Sequence, residues 1–289
     1  MDEPERVIGA CIMPFCIDPV WGRMYFLLGK ERYTSNWVRA SELWSCFGGR
    51  PANRGEAVEN IAAREFLEET CGMVKFFDSD MLPRTEHADI STFLASQKFL
   101  LRINMVIKPV ETTGKTADAH KLYTVFVPQI PWDPQCVLRF GKCRSMLATM
   151  RSLPPTRGRL RWMLAHPALH VFPRTEQDSA EIMQQVVICK VPAAVTAAAK
   201  RGRCKEALLA DVEAAAGRLV VNKDYLEKQA LALWSVPQLL RAVRTCGILS
   251  TRGGKVERCR ASFAQHAAIV LSELVFSAPC MVDCPVGVT

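Results

Sequence analysis

The chain has 289 residues, 49% of them hydrophobic, enough for a substantial core in one large or two ordinary domains. The early apolar run Val7 to Ile12 is far too short to cross a membrane and no leader segment stands out, so an intracellular, cytoplasmic protein without a membrane partner is expected. A formal charge of +8 is concentrated in Arg139 to Arg161, Lys200 to Lys205 and Arg241 to Arg260, which favours a phosphate-rich partner without excluding ordinary solvated faces.

Val7 to Pro14 and Met24 to Lys30 are rich in strand formers and are separated by Asp18-Pro19 and Trp21-Gly22, so they read as two strands joined by a turn. Leu43 to Phe47 leads as a further strand into Gly48-Gly49. A helical pattern opens at Gly55-Glu56 and ends near Cys71-Gly72. Val74 to Phe77, Phe99 to Val110 and Leu122 to Ile130 are further strand candidates. From Pro131 to about Leu219 the pattern is mixed, with a break at Pro154 to Gly158 and an alanine-rich helical stretch at Ala193 to Ala216; it reads as a largely helical insertion into a single domain spanning 1–289. Tyr225 to Val243 and Arg260 to Phe276 are expected to be helical, with Glu227 to Trp234 partly extended.

The twelve cysteines are scattered through apolar stretches, Cys11, Cys71 and Cys189 among them, and read as buried free thiols. Cys280 and Cys284 lack a second ligand pair and do not make a zinc site by themselves.

The informative stretch runs from Gly48 to Gly72. Glu65, Glu68 and Glu69 are spaced i, i+3 and i+4, which at about 3.6 residues per turn sets three carboxylates on one helix face. Their mutual repulsion would weaken the helix unless a counter-charge is supplied. A hard divalent cation, Mg²⁺ or Mn²⁺, would supply it and could also bridge to phosphate oxygens. An acidic surface helix neighboured by Arg64 would show the same charges.

The order Gly49, Glu56, Arg64-Glu65-Phe66, Glu68-Glu69 resembles the Nudix box. Six residues instead of five separate Gly49 from Glu56, and two residues instead of one precede Gly72, while the spacing from Glu56 to Glu69 is that of the box. The resemblance implies a Nudix-type α/β/α sandwich with a mixed sheet. It also implies a metal-dependent pyrophosphohydrolase acting on a nucleoside diphosphate linked to another moiety. Glu65, Glu68 and Glu69 would bind the metal, with the Gly49 carbonyl as a further ligand and Glu56 and Arg64 as a supporting pair. Glu227, before the Leu233-Trp234-Ser235 segment, is the candidate general base; Glu111 and Glu181 are alternatives. The approach Leu27 to Arg50 is similar to Nudix proteins of large DNA viruses, which makes capped mRNA the first substrate to consider and RNA a partner for the basic surface. Dinucleoside polyphosphates, nucleotide sugars or diphosphoinositol polyphosphates are the small-molecule alternative, and a non-catalytic nucleotide- or RNA-binding module is the alternative outside enzymes. Trp37, Trp44 and Phe47 could stack on a base, but the strand pattern places Trp44 and Phe47 in the core.

Overall fold

A computed structural model describes residues 6–35, 38, 41–77, 83–84, 87–96, 101–107, 121–152, 223–245, 247–250 and 256–277. The chain forms two compact units, Met1–Val137 with Lys228–Thr289, and Leu138–Glu227. In chain order the described elements begin with β1 (Arg6–Ile12), β2 (Phe15–Ile17), β3 (Met24–Glu31), β4 (Trp44–Ser45), β5 (Phe47–Gly49) and α1 (Val58–Thr70). Next come β6 (Phe76–Phe77), β7 (Pro83–Arg84), α2 (His87–Ala95), β8 (Leu101–Ile107), β9 (Lys121–Val127) and α3 (Gln135–Ser152). A 3₁₀ turn at Lys223–Leu226 precedes β10 (Lys228–Ser235), α4 (Val236–Arg244), β11 (Ile248–Ser250), β12 (Val256–Arg258) and α5 (Ala261–Ser277).

The first unit is α/β with a mixed sheet, as expected. Its strand order is β5-β1-β9-β8, with β1 parallel to β9 and antiparallel to β5, and β8 antiparallel to β9. A second, antiparallel sheet runs β10-β3-β2, with β4 also on β3. Strand alternation divides the buried residues between faces. Cys11, Val125 and Val127 of the first sheet and Phe26 and Leu28 of β3 join Leu239 of α4 and Phe263, Val270 and Leu274 of α5 in one apolar cluster. Helix α1 packs on β1, β5 and α2. Its Phe66, wholly buried, continues a chain of edge-on rings from Phe47 through Phe76 to Phe93, with centroids 5.2, 5.0 and 5.8 Å apart. Burying one such ring contributes roughly 1.5–3 kcal/mol, so the motif helix is fixed by its apolar face and its carboxylates are presented from a rigid base.

The helix starts later than its sequence suggests. Gly55 adopts φ +85° in a turn closed by the Glu56 N–H to the Asn53 carbonyl at 3.2 Å, Ala57 is extended, and the first helical residue is Val58. Glu56 accepts from the Ala52 N–H, which keeps it in the loop. At the other end Cys71 takes the left-handed conformation, φ 53°, and the Gly72 N–H donates to the Leu67 carbonyl at 2.9 Å. The helix-ending residue that usually is glycine is therefore Cys71 itself, so the box departs here by substitution rather than by an extra residue.

The C-terminal expectation, helical with Glu227 to Trp234 partly extended, is met with sharper bounds. Lys228–Ser235 is a strand because it pairs along β3 from Glu31 to Tyr25, and the helix is confined to Val236–Arg244 behind a Ser235–Gln238 capping box. Strand β9 stops at Val127, since Pro128 cannot donate to the ladder and only Gln129 forms an isolated bridge to Phe15. The strand expected at Val74 to Phe77 is β6, whereas strand β2, strand β7, helix α2 and the β11–β12 pair were not expected from the sequence. Within Pro131 to Leu219, α3 is helical; Ala193 to Ala216 lies outside the described residues, as do Cys189, Cys280 and Cys284. No helix among the described residues is long and apolar enough to cross a membrane.

Candidate active site

Arg64, in the second turn of α1, gathers the outer carboxylates. Its Nη1 donates to Glu65 Oε1 at 2.8 Å and to Glu68 Oε2 at 3.4 Å, its Nε to Glu56 Oε1 at 3.3 Å, and its Nη2 to the Arg50 carbonyl at 2.9 Å. One guanidinium thus ties the loop before the helix to two carboxylates on it. Burial works against the Arg64 charge, but Glu65, Glu56 and Glu68 outweigh it and raise its pKa still further. The carboxylates of Glu65 and Glu68 retain 14% and 16% side-chain exposure, so they stand at the surface end of the site. Glu65 lies directly against the α-carbon of Gly49: any Cβ there would overlap its carboxylate. Only glycine leaves that space.

Glu69 has a different setting. It is 3% exposed; its Oε2 accepts from the Gly48 N–H at 2.8 Å, and its Oε1 lies 3.0 Å from Lys228 Nζ. Lys228 opens β10 opposite Glu31 at the end of β3, and its buried ammonium also reaches Glu31 Oε1 at 2.6 Å and Ser45 Oγ at 2.8 Å. Its aliphatic stem runs over Gly29, where a Cβ would come within 2.8 Å of it. Arg260 adds a contact to Glu31 Oε1 at 3.4 Å.

Burial works against the Lys228 charge, yet Glu69 and Glu31 prevail and raise its pKa. Burial likewise pushes Glu31 up, but Lys228, Ser45 and Arg260 hold it below the ordinary carboxyl value of 4.5. Glu69 goes the other way: burial raises it well above that value, with Lys228 opposing and the Glu31 and Glu65 charges adding to the rise. With one ammonium shared between two carboxylates, Lys228 and its neighbours outweigh burial at Glu31, whereas at Glu69 burial prevails.

The structure thus brings together Gly49, Glu56, Arg64, Glu65, Glu68 and Glu69. The Gly49 carbonyl faces Gly9 on β1. Glu227 is exposed in the second unit, one residue before Lys228. Glu111, Glu181 and Trp37 lie outside the described residues. Trp44 and Phe47 are buried core residues, as expected. Sequence reasoning missed Glu31 and Lys228. The available signal was a charged pair, Lys30-Glu31, closing an otherwise apolar strand, but nothing local ties Glu31 to a lysine 197 residues away.

Whether these residues suit a divalent cation can be judged from their donors. Glu65 and Glu68 offer hard carboxylate oxygens on adjacent turns of a fixed helix, and Mg²⁺ usually takes one or two protein carboxylates while keeping several waters. The pair fits such an ion. Glu69 borders the same cluster through Glu65, but both of its oxygens already have partners in Gly48 and Lys228.

Solved structures similar to this chain are Nudix and MutT proteins. A C. elegans Ap4A hydrolase is 15% identical, with 46% of this chain and 72% of that one covered and a TM-score of 0.25. A Listeria innocua mutT/nudix family protein is 11% identical over 96% of this chain and 99% of its own, with a TM-score of 0.32. The Nudix domain of Shewanella oneidensis NrtR, crystallised with ADP ribose, is 9% identical, with 45% of this chain and 64% of that chain covered, and scores 0.24. Likenesses this weak carry no chemistry over to this chain, which is judged by its own side chains. No family model and no curated protein matches it.

Proposed function

We propose that the chain is a Nudix hydrolase, a metal-dependent pyrophosphohydrolase that cleaves a nucleoside diphosphate linked to another moiety. The carrying observation is the Arg64-centred cluster: one guanidinium holds Glu56, Glu65 and Glu68 around the helix while Glu65 rests on Gly49. Glu65 and Glu68 would hold Mg²⁺ or Mn²⁺, which when bound neutralises phosphate oxygens and acidifies a water. Arg64 keeps the two carboxylates side by side despite their repulsion, and Glu56 fixes Arg64 to the loop. Glu69 acts behind them, holding the Gly48 N–H and Lys228 so that the strand before Gly49 keeps its register with the helix. Glu227 remains the proposed general base.

For the substrate, capped mRNA is the first proposal, supported by the basic segments that would track an RNA backbone; dinucleoside polyphosphates, nucleotide sugars and diphosphoinositol polyphosphates are the small-molecule alternative. The alternative outside enzymes is a nucleotide- or RNA-binding module that does not turn over. The deciding experiment incubates the purified full chain with each of these substrates in Mg²⁺ or Mn²⁺. Water-dependent cleavage of one of them, lost in Glu68→Gln, is expected. Binding without cleavage under both metals would establish the module instead. Cleavage of capped RNA that falls steeply with salt identifies an RNA enzyme, whereas salt-insensitive cleavage of the free cap dinucleotide identifies a small-molecule one.

A further inference from the structure

A second constellation of reactive side chains lies outside the carboxylate cluster. Cys11 is in β1, Cys46 is the residue between β4 and β5, and His266 is in α5; their sulfur and imidazole atoms lie within 4.8 Å of one another. Both cysteines are buried and free. His266 Nδ1 is shielded from solvent and has no hydrogen-bond partner. A buried polar atom in that state calls for an explanation, and an ion is one. The Tyr123 ring stacks on His266 at 5.3 Å and 28°, which fixes the imidazole plane, and its hydroxyl reaches the Cys11 thiol.

We infer that Cys11, Cys46 and His266 bind a zinc ion that fastens α5 to β1 and to the residue linking β4 and β5. Two sulfurs and an imidazole suit Zn²⁺ and are poor ligands for Mg²⁺, so this site and the carboxylate cluster select different metals. Zinc holds its ligands at about 2.0–2.3 Å, which places them roughly 3.5–3.8 Å apart, a modest contraction from the present spacing. The Tyr123 hydroxyl or a water completes a tetrahedron.

On binding, each thiol gives up its proton to solvent and two thiolates neutralise the Zn²⁺ charge, so the buried site carries no net charge. The three ligands come from distant parts of the sequence, without the paired C-x-x-C spacing that usually announces zinc. None of this depends on the chain being a hydrolase.

The test measures metal content of the purified full chain by atomic emission after dialysis against a weak chelator. One zinc per chain is expected in the parent and in Cys143→Ser, a control at another buried thiol, and none in Cys46→Ser or His266→Gln. Because either variant could lose its fold, Co²⁺ is also titrated into the metal-stripped parent. Thiolate-to-cobalt charge-transfer absorption and intense tetrahedral d–d bands, saturating at one equivalent, are expected. Absence of those bands overturns the site. So does zinc retained in both folded variants, or a Cys11–Cys46 disulfide in place of metal in the mass of the intact chain.

Discussion

Glu68 and Glu69 are neighbours in sequence with the same side chain, yet one belongs to a partly exposed cluster around Arg64 and the other to a buried cluster around Lys228. The first joins residues of a single helix and its leading loop. The second joins the ends of β3 and β10 to the same helix. Exposure decides what each can do. A partly buried arginine can spread one charge over three carboxylates that outweigh its desolvation, whereas a fully buried lysine must be matched closely or its charge is not tolerated. The outer cluster lies at the surface end of the site, and the inner one ties the ends of β3 and β10 to the helix.

The largest expected effect is at the centre of the buried cluster. Lys228→Met leaves Glu31 and Glu69 in the interior without their ammonium, which should cost about 3–5 kcal/mol of stability in urea unfolding. A loss below roughly 1 kcal/mol would show that the inner cluster is not what holds the frame.

A sharper division comes from the adjacent pair. Glu68→Gln should lower Mg²⁺-dependent turnover by about 100-fold or more while stability stays within roughly 0.5 kcal/mol. Glu69→Gln should lose about 1–3 kcal/mol as well, since an amide can accept from only one of its two donors, the Gly48 N–H or Lys228. Sequence alone suggests that both substitutions spare the fold; the burial of Glu69 separates them. Equal stability of the two variants would erase the proposed difference.

The smallest effect is a pH dependence. Glu31 has its folded pKa held below 4.5, so the stability it contributes is complete above that value and is lost as pH falls through the lower folded value. The deficit of Glu31→Gln relative to the parent should therefore be full at neutral pH and shrink as the medium is acidified below about pH 4.5. A deficit that grows on acidification would show that Lys228 and its neighbours do not hold folded Glu31 below its ordinary value.

The outer cluster was legible because it is local: Glu56, Arg64, Glu65 and Glu68 sit within one loop and three helical turns, where spacing alone sets their neighbours. Strands β1 and β3 and helix α5 were legible for the same reason, through uninterrupted apolar patterns. Lys228 was passed over because a lysine beside a glutamate reads as a solvated pair, and only the pairing of β10 with β3 turns it inward. The partly extended reading of Glu227 to Trp234 matches β10, but its bounds were not legible, since Leu231 and Trp234 fit a helix face as well as a strand until β3 offers its edge. Cys71 in the position of a helix-ending glycine escaped because its conformation, not its chemistry, is what matches the motif.

The distance in sequence between Glu31 and its lysine has a bearing on how the protein is made. At a synthesis rate of about 5–20 residues per second, the 197 residues between them take roughly 10–40 s to emerge. From Gly72 onward the nascent chain contains Glu31, Glu69 and the entire box, but not the Lys228 ammonium that accompanies the first two into the interior. Both must stay hydrated, so the frame behind the carboxylate helix closes only after β10 has left the ribosome. The chemically suggestive part of the molecule is thus synthesised well before the lysine that completes it.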